Sequence, residues 1–341
     1  MKKIIIILTI LIFPFRVLAA SEIAVLDLDS GRFLYESNSE EKRLIASITK
    51  IMTAIIVIEN MNLNDEVTVG DEVLKAYGTN IYIEVGETLK VKDLLYGLIL
   101  RSGNDAALTL SYNIKDKDFI KLMNDKAKEI GMNNTTFENP HGLDEETKNY
   151  STAHDMALLS RYAFKNKTYR TISKTKKYTT KSNKKSYIWY NRNKLLTKYQ
   201  YCTGGKNGYT PSAGKTLVTT ATKDDLNLTI VTLNDPNIYE THESLYDYYF
   251  NKYKKYKIID KEKFYFDKSL VNKKLYIKKS FDYPLTDDEI GKVKTKIHIK
   301  KTNSNKVGKI NIYLENNEIG SIDVYSEKAK KKEPKFFNIT N

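Results

Sequence analysis

The segment that most constrains the fold is Ile51-Met52-Thr53-Ala54-Ile55-Ile56-Val57-Ile58, an apolar run without glycine or proline. It follows a charged, turn-like stretch from Asn38 to Arg43. A helix that is apolar on every face belongs in the interior, so this run predicts a buried helix around which the rest must pack. At its mouth stands Ala46-Ser47-Ile48-Thr49-Lys50, where polar loop becomes helix. Residues three apart share a helix face, so the Ser47 hydroxyl and the Lys50 amine point into one space. Two readings stay open on these residues alone. Ser47 can be an N-cap with Lys50 a solvated lysine, or Ser47 can be a nucleophile with Lys50 its base. Apolar flanks at Ile48, Ile51, Met52 and Ala54 and the positive end of the helix dipole both disfavour the charged amine, as a base requires.

The chain begins Met1-Lys2-Lys3, continues apolar from Ile4 to Phe13, and reaches Val17-Leu18-Ala19-Ala20. A basic start, an apolar core too short to span a bilayer and small residues at the exit predict a signal peptide over residues 1–20. Pro14 and Arg16 argue against an uncleaved anchor. The rest, roughly 320 residues, suffices for two domains. With one cysteine, Cys202, an exported fold has no internal disulfide and must rest on its core. His141, His154, His242 and His298 are scattered without metal-ligand spacing, so no metal site is expected. Cys202 lacks the flanking residues of a Cys/His protease and reads as a small packing residue.

The 341 residues carry a formal charge of +14, or about +11 once Lys2, Lys3 and Arg16 leave with the signal. Such a balance suits an anionic neighbour. The export signal turns the expectation from nucleic acid toward anionic wall polymers or the membrane surface.

Ile23 to Tyr35, broken at Asp29-Ser30-Gly31, reads as a hairpin preceding the Ser47 helix. Helices are predicted over Val91 to Arg101, Ala106 to about Tyr112, Asp118 to Ile130, Thr152 to Phe164 and about Thr241 to Tyr253. The lysine-, threonine- and tyrosine-rich stretch from Lys165 to Tyr201 reads as extended structure and loops, with Trp189 in the core. Strands follow at Thr216 to Thr222 and Leu226 to Leu233. Beyond Lys254, four short alternating strands, Leu275 to Lys278, Val293 to Ile299, Lys309 to Leu314 and Ile319 to Tyr325, suggest a small all-β domain. Gly214-Lys215-Thr216 is no phosphate loop, because Tyr209 stands where its first glycine is required.

Three polar clusters end apolar elements: Ser47-Ile48-Thr49-Lys50, Ser102-Gly103-Asn104 and Lys206-Asn207-Gly208. In this order they resemble the S-x-x-K, S-x-N and K-T-G signature of the penicillin-recognising serine enzymes. Leu100 to Ala107, Asn139-Pro140-His141-Gly142-Leu143 and Asn191-Arg192-Asn193 narrow the resemblance to the D-alanyl-D-alanine carboxypeptidases, low-molecular-mass penicillin-binding proteins of peptidase family S11. It covers Glu22 to Tyr253 closely, and the β-rich C-terminal part only by position and texture.

The resemblance implies a mixed α+β fold, an antiparallel sheet flanked by helices, with a smaller C-terminal all-β domain. Expected boundaries are 21–254 for the catalytic domain, 255–327 for the β domain and 328–341 for a basic tail. It implies Ser47 as nucleophile toward peptidoglycan stem peptides ending in D-Ala-D-Ala, with β-lactams as covalent inhibitors and no cofactor. Lys50 is then the general base, Ser102 a proton relay and Asn104 the amide that holds substrate and Lys50. Lys206, Asn207, Gly208 and Arg192 bind substrate, and the backbone N–H groups of Ser47 and Tyr209 form the oxyanion hole. At its ordinary pKa only about one lysine in 2,500 is neutral at pH 7, so Lys50 needs a shift of several units, which a second cation at Lys206 supplies. Asn207 departs from the family threonine and offers an amide in place of a hydroxyl. His141 is expected to be structural and His154 a surface or packing residue. A DD-endopeptidase, a β-lactamase and a non-catalytic wall-binding module are the rivals. The tail, basic and interrupted by Pro334, predicts at most weak, salt-sensitive contact with anionic surfaces.

Overall fold

The computed structural model describes residues 22–115, 117–265, 274–300 and 304–326. The expected signal peptide (1–20) and basic tail (328–341) lie outside them. No helix among the described residues is long and apolar enough to cross a membrane.

The hairpin β1 (Glu22–Asp27) and β2 (Phe33–Ser37) opens the chain, and a short β3 (Arg43–Leu44) leads to the 3₁₀ turn Ala46–Thr49 and helix α1 (Lys50–Asn60). Helix α1 is buried continuously from Lys50 to Val57, as its all-round apolar sequence requires. After β4 (Glu66–Thr68) and β5 (Thr88–Lys90), helix α2 (Val91–Tyr96) runs into a π turn, Gly97–Arg101. Helices α3 (Asn104–Tyr112) and α4 (Phe119–Glu129), strand β6 (Tyr150–Ser151) and helix α5 (Ala153–Lys165) follow. Asp118 and Thr152 cap α4 and α5 by accepting from Lys121 N and Asp155 N.

The stretch expected to be extended contains a helix, α6 (Lys167–Lys174), before the hairpin β7 (Lys177–Lys181) and β8 (Ser186–Tyr190) and the short α7 (Leu195–Lys198). Lysines and threonines hid α6. Asn166 caps it, and only Tyr169, Ile172 and Ser173 are buried, so two apolar side chains at i, i+3 carry its packing. Trp189 is in the core, as expected. Strands β9 (Cys202–Thr210), β10 (Gly214–Lys223) and β11 (Leu226–Leu233) and helix α8 (Ile238–Lys252) follow.

Five strands form an antiparallel sheet in the order β2-β1-β11-β10-β9. Its central strands are apolar on both faces. Ala24 and Leu26 of β1, with Val231 and Leu233 of β11, face the core containing α1 and α5. Val25, Leu228 and Ile230, one residue out of phase, face Leu245, Tyr246 and Tyr249 of α8. Helices thus cover both faces, and β9 is left as an edge.

The C-terminal part adds two strands to those expected. Strands β12 (Lys254–Ile259), β13 (Leu275–Ile277), β14 (Phe281–Leu285), β15 (Val293–Ile299), β16 (Lys306–Leu314) and β17 (Asn317–Ser326) form a β12-β14 pair and a β13-β17-β16-β15 sheet. The missed pair is lysine-rich on one side and carries Pro284 on the other, which a two-stranded ribbon tolerates. Arg32, at the β1–β2 turn, grips this part by donating to Pro284 O at 2.8 Å and to both oxygens of Glu289.

Candidate active site

The Ser47 segment is a 3₁₀ turn rather than the first turn of the α-helix, which begins at Lys50. In 3₁₀ geometry residues i and i+3 eclipse, so Ser47 and Lys50 stack. Lys50 Nζ donates to Ser47 Oγ at 3.0 Å, to Asn104 Oδ1 at 2.7 Å and to the His141 carbonyl at 2.6 Å. No side-chain cap bond forms at the start of this turn or of α1, so the N-cap reading of Ser47 fails.

Lys50 is wholly buried. Burial first, then the nearby charges of Lys206 and Arg192, hold its amine well below the ordinary lysine range, against an opposing pull from Asp105. Lys206, also buried, donates to Ser102 Oγ at 3.0 Å and to the Asn207 carbonyl at 2.6 Å. Burial, with Arg192 behind it, lowers its pKa to about 7.

Ser102 follows the π turn and takes a left-handed conformation, φ +66°. Asn104 opens α3 and donates its amide to the Tyr77 carbonyl at 2.6 Å. Beside it, the buried Asp105 carboxylate accepts from the backbone N–H groups of Ile81, Tyr82 and Ile83, fixing the 77–83 rim to the cleft. Arg192 is tied to this rim through Thr79 Oγ1 at 3.2 Å, and its backbone N–H donates to Leu100 O.

Strand β9 carries Lys206 to Tyr209 along the open edge of the sheet. A Cβ on Gly208 would lie 2.8 Å from Ser47 N and 2.6 Å from Thr216 Oγ1, so only glycine lets the strand come this close to the Ser47 amide. The Asn207 side chain is half-buried and that of Tyr209 is 64% exposed at the mouth.

The loop Asn139–Gly142, part of the motif that carries the resemblance but given no site role from sequence, is part of the cleft. Asn139 Oδ1 accepts from Gly142 N at 2.6 Å, and Pro140 O accepts from Thr53 Oγ1 at 2.5 Å. These bonds aim the His141 carbonyl at Lys50. Gly142, φ +88°, lies so near the Ala46 carbonyl that a Cβ would approach it to 1.9 Å. Ala46 itself has φ +49°, an uncommon conformation for a residue with a side chain, immediately before Ser47. Proline and glycine flanking His141 were the only sequence signal of this closeness. The imidazole of His141 is pushed down to about 3 by burial and by Lys50, and it accepts from Leu143 N, which accords with a structural part. Cys202, at the start of β9, packs with Leu195, Leu217 and Ile238, and burial pushes its thiol up to about 11.

Folding therefore brings Ser47, Lys50, Ser102, Asn104 and Lys206 into one hydrogen-bonded cleft, with Arg192 at its rim and Asn207 to Tyr209 along its edge. Residues 14–237 match the family model described as peptidase S11, D-alanyl-D-alanine carboxypeptidase. The chain belongs to this family. It is 35% identical over 218 residues to the D-alanyl-D-alanine carboxypeptidase DacF of Bacillus subtilis, covering 61% of this chain and 55% of that protein. It is 37% identical over 227 residues to DacC of Escherichia coli, again 61% of this chain and 55% of the relative. The chain thus spans about half the length of these curated relatives. The crystal structure of penicillin binding protein 5 from Haemophilus influenzae superposes with a TM-score of 0.74 at 26% identity, covering 89% of this chain and 95% of that one. With 89% of the chain covered, that similarity of fold reaches beyond the matched family region into the C-terminal β part.

Proposed function

We propose that the chain is a serine-type D-Ala-D-Ala carboxypeptidase that removes the terminal D-alanine from peptidoglycan stem peptides and is acylated by β-lactams. The observation that carries this reading is the pair of lysine–serine contacts, Lys50 to Ser47 and Lys206 to Ser102, each at 3.0 Å in one buried cleft.

The stem peptide adds to the open edge of β9 as an antiparallel strand. Its terminal carboxylate meets Lys206, the Arg192 fork and the Asn207 amide. Neutral Lys50 takes the proton from Ser47 Oγ as the oxygen attacks the carbonyl between the two D-alanines. The negative charge that develops on that carbonyl oxygen is held by the N–H groups of Ser47 and Tyr209. Ser102, poised on Lys206, relays the proton now held by Lys50 to the departing amine, and D-alanine leaves with Lys50 neutral again. Water then attacks the acyl-enzyme, giving up its proton to Lys50, which returns it to Ser47 Oγ as the acyl bond breaks and the enzyme is freed.

In this reading residues 21–254 are the catalytic unit, residues 255–327 a β-rich second unit, and the protein acts outside the cytoplasmic membrane. Contact with anionic wall polymers or membrane is peripheral, through the basic tail. Fluorescent penicillin tests the reading. A stable adduct lost in Ser47→Ala, with release of D-alanine from a pentapeptide, supports the carboxypeptidase. Rapid turnover of the drug supports a β-lactamase, and no adduct a wall-binding module.

A further inference from the structure

Away from the cleft, two glutamates and a histidine converge on one point of the surface. Glu36 is the penultimate residue of β2, Glu40 lies in the turn that follows, and His154 is the second residue of α5. His154 Nδ1 is 2.8 Å from Glu36 Oε1 and 3.3 Å from Glu40 Oε1, and one ligand atom from each residue lies within 4.8 Å of the others. A ring nitrogen carries one proton and can satisfy one carboxylate, not two. Among the described residues no lysine or arginine lies within ion-pair distance of Glu36 or Glu40, and the neighbouring Arg43 is engaged by Glu22 and Glu41. The start of α5 is already capped by the Thr152 side chain, which accepts from Asp155 N.

The group is also held in place. The imidazole stacks on Phe33 with centroids 4.2 Å apart, and His154 N donates to Ser39 O. Ser39 Oγ donates to Glu36 Oε1, and Asn134 Nδ2 to Glu40 Oε2. Ligands fixed by outer hydrogen bonds and open to solvent on one side are the pattern of a metal site with a coordinated water.

We propose that Glu36, Glu40 and His154 bind a zinc ion. Ligands about 2.0–2.2 Å from a tetrahedral zinc stand roughly 3.4 Å apart, close to the separations here, and an imidazole nitrogen selects zinc over calcium or magnesium. No spacing along the chain could signal the site, because His154 is 118 residues from Glu36. The ion clips the turn that leads into β3 and Ser47 onto the start of α5.

The test is calorimetric titration of the tag-free full chain with zinc chloride in chelator-treated buffer, paired with thermal melting. The expected result is one saturable site and a raised melting temperature, with calcium chloride giving no saturable heat. Glu40→Gln, which leaves the Phe33 stack intact, and His154→Ala each weaken binding by about tenfold or more. His298→Ala leaves it unchanged. No saturable zinc binding, binding undiminished in both variants, or equal affinity for calcium overturns the proposal. Penicillin labelling of Ser47 is unaffected either way, so the cleft and the metal site are judged separately.

Discussion

Gly208→Ala isolates the approach of the β9 edge to Ser47, the proposed nucleophile. The new methyl lies 2.8 Å from Ser47 N, 3.1 Å from Ile48 N and 2.6 Å from Thr216 Oγ1, whereas ordinary contact begins near 3.4 Å. The edge must therefore retreat by roughly 0.6 Å or more to restore ordinary van der Waals separation. Two of the three obstacles are backbone, and the third, Thr216, is held by its bond to Ile45 O at 3.1 Å. If β9 retreats, Tyr209 N and Lys206 move with it, away from Ser47 and Ser102. If it stays, the methyl occupies the space before the Ser47 amide. Either way the proposed oxyanion hole loses one donor, which costs about 3–4 kcal/mol, or roughly 10²- to 10³-fold in acylation. The assay is the second-order rate of acylation by fluorescent penicillin, with thermal melting to show that the variant folds. A folded Gly208→Ala protein acylating within about threefold of the parent would refute this account of the oxyanion hole.

The remaining expectations concern the third motif and the lysines. Asn207→Thr replaces the longer amide by the family hydroxyl; hydrolysis of D-Ala-D-Ala peptides should rise while penicillin acylation is retained, and a clear loss of peptidase rate would defeat the idea. Lys50, held well below the ordinary lysine range, gains its proton as pH falls and acylation declines on that side. Lys206, at about 7, loses its charge as pH rises, so KM for carboxylate-bearing peptides should climb on the alkaline side; a KM constant from pH 6 to about 10 would contradict this. Stability carries the opposite sign. Between about 7 and the unfolded lysine value of ~10.4, the unfolded chain binds a proton at residue 206 that the folded chain does not. Lys206 therefore adds stability as pH rises through that window, and thermal melting across it reads the slope.

What the sequence discloses depends on how locally each feature is determined. The buried helix after Ser47 is legible because its apolar residues leave it one environment, and the Ser47–Lys50 pair because three residues fix its geometry. Helix α6 was not legible, since a lysine- and threonine-rich octet with two apolar side chains carries almost no period. The tertiary placement of the motifs was accessible only through resemblance. Nothing in Lys206 or Ser102 alone says that one will donate to the other across 104 positions. The His141 carbonyl was beyond reach for a different reason, because backbone acceptors are common to all residues and only a fold decides which one faces an amine. Its consequence is physical. Ser47 Oγ, Asn104 Oδ1 and the His141 carbonyl surround an amine that burial and Lys206 hold well below the ordinary lysine range. A neutral amine has two protons to donate and one lone pair. In the neutral form, with Asn104 and His141 taking the two protons, the lone pair would point toward Ser47 Oγ, as the proposed base requires.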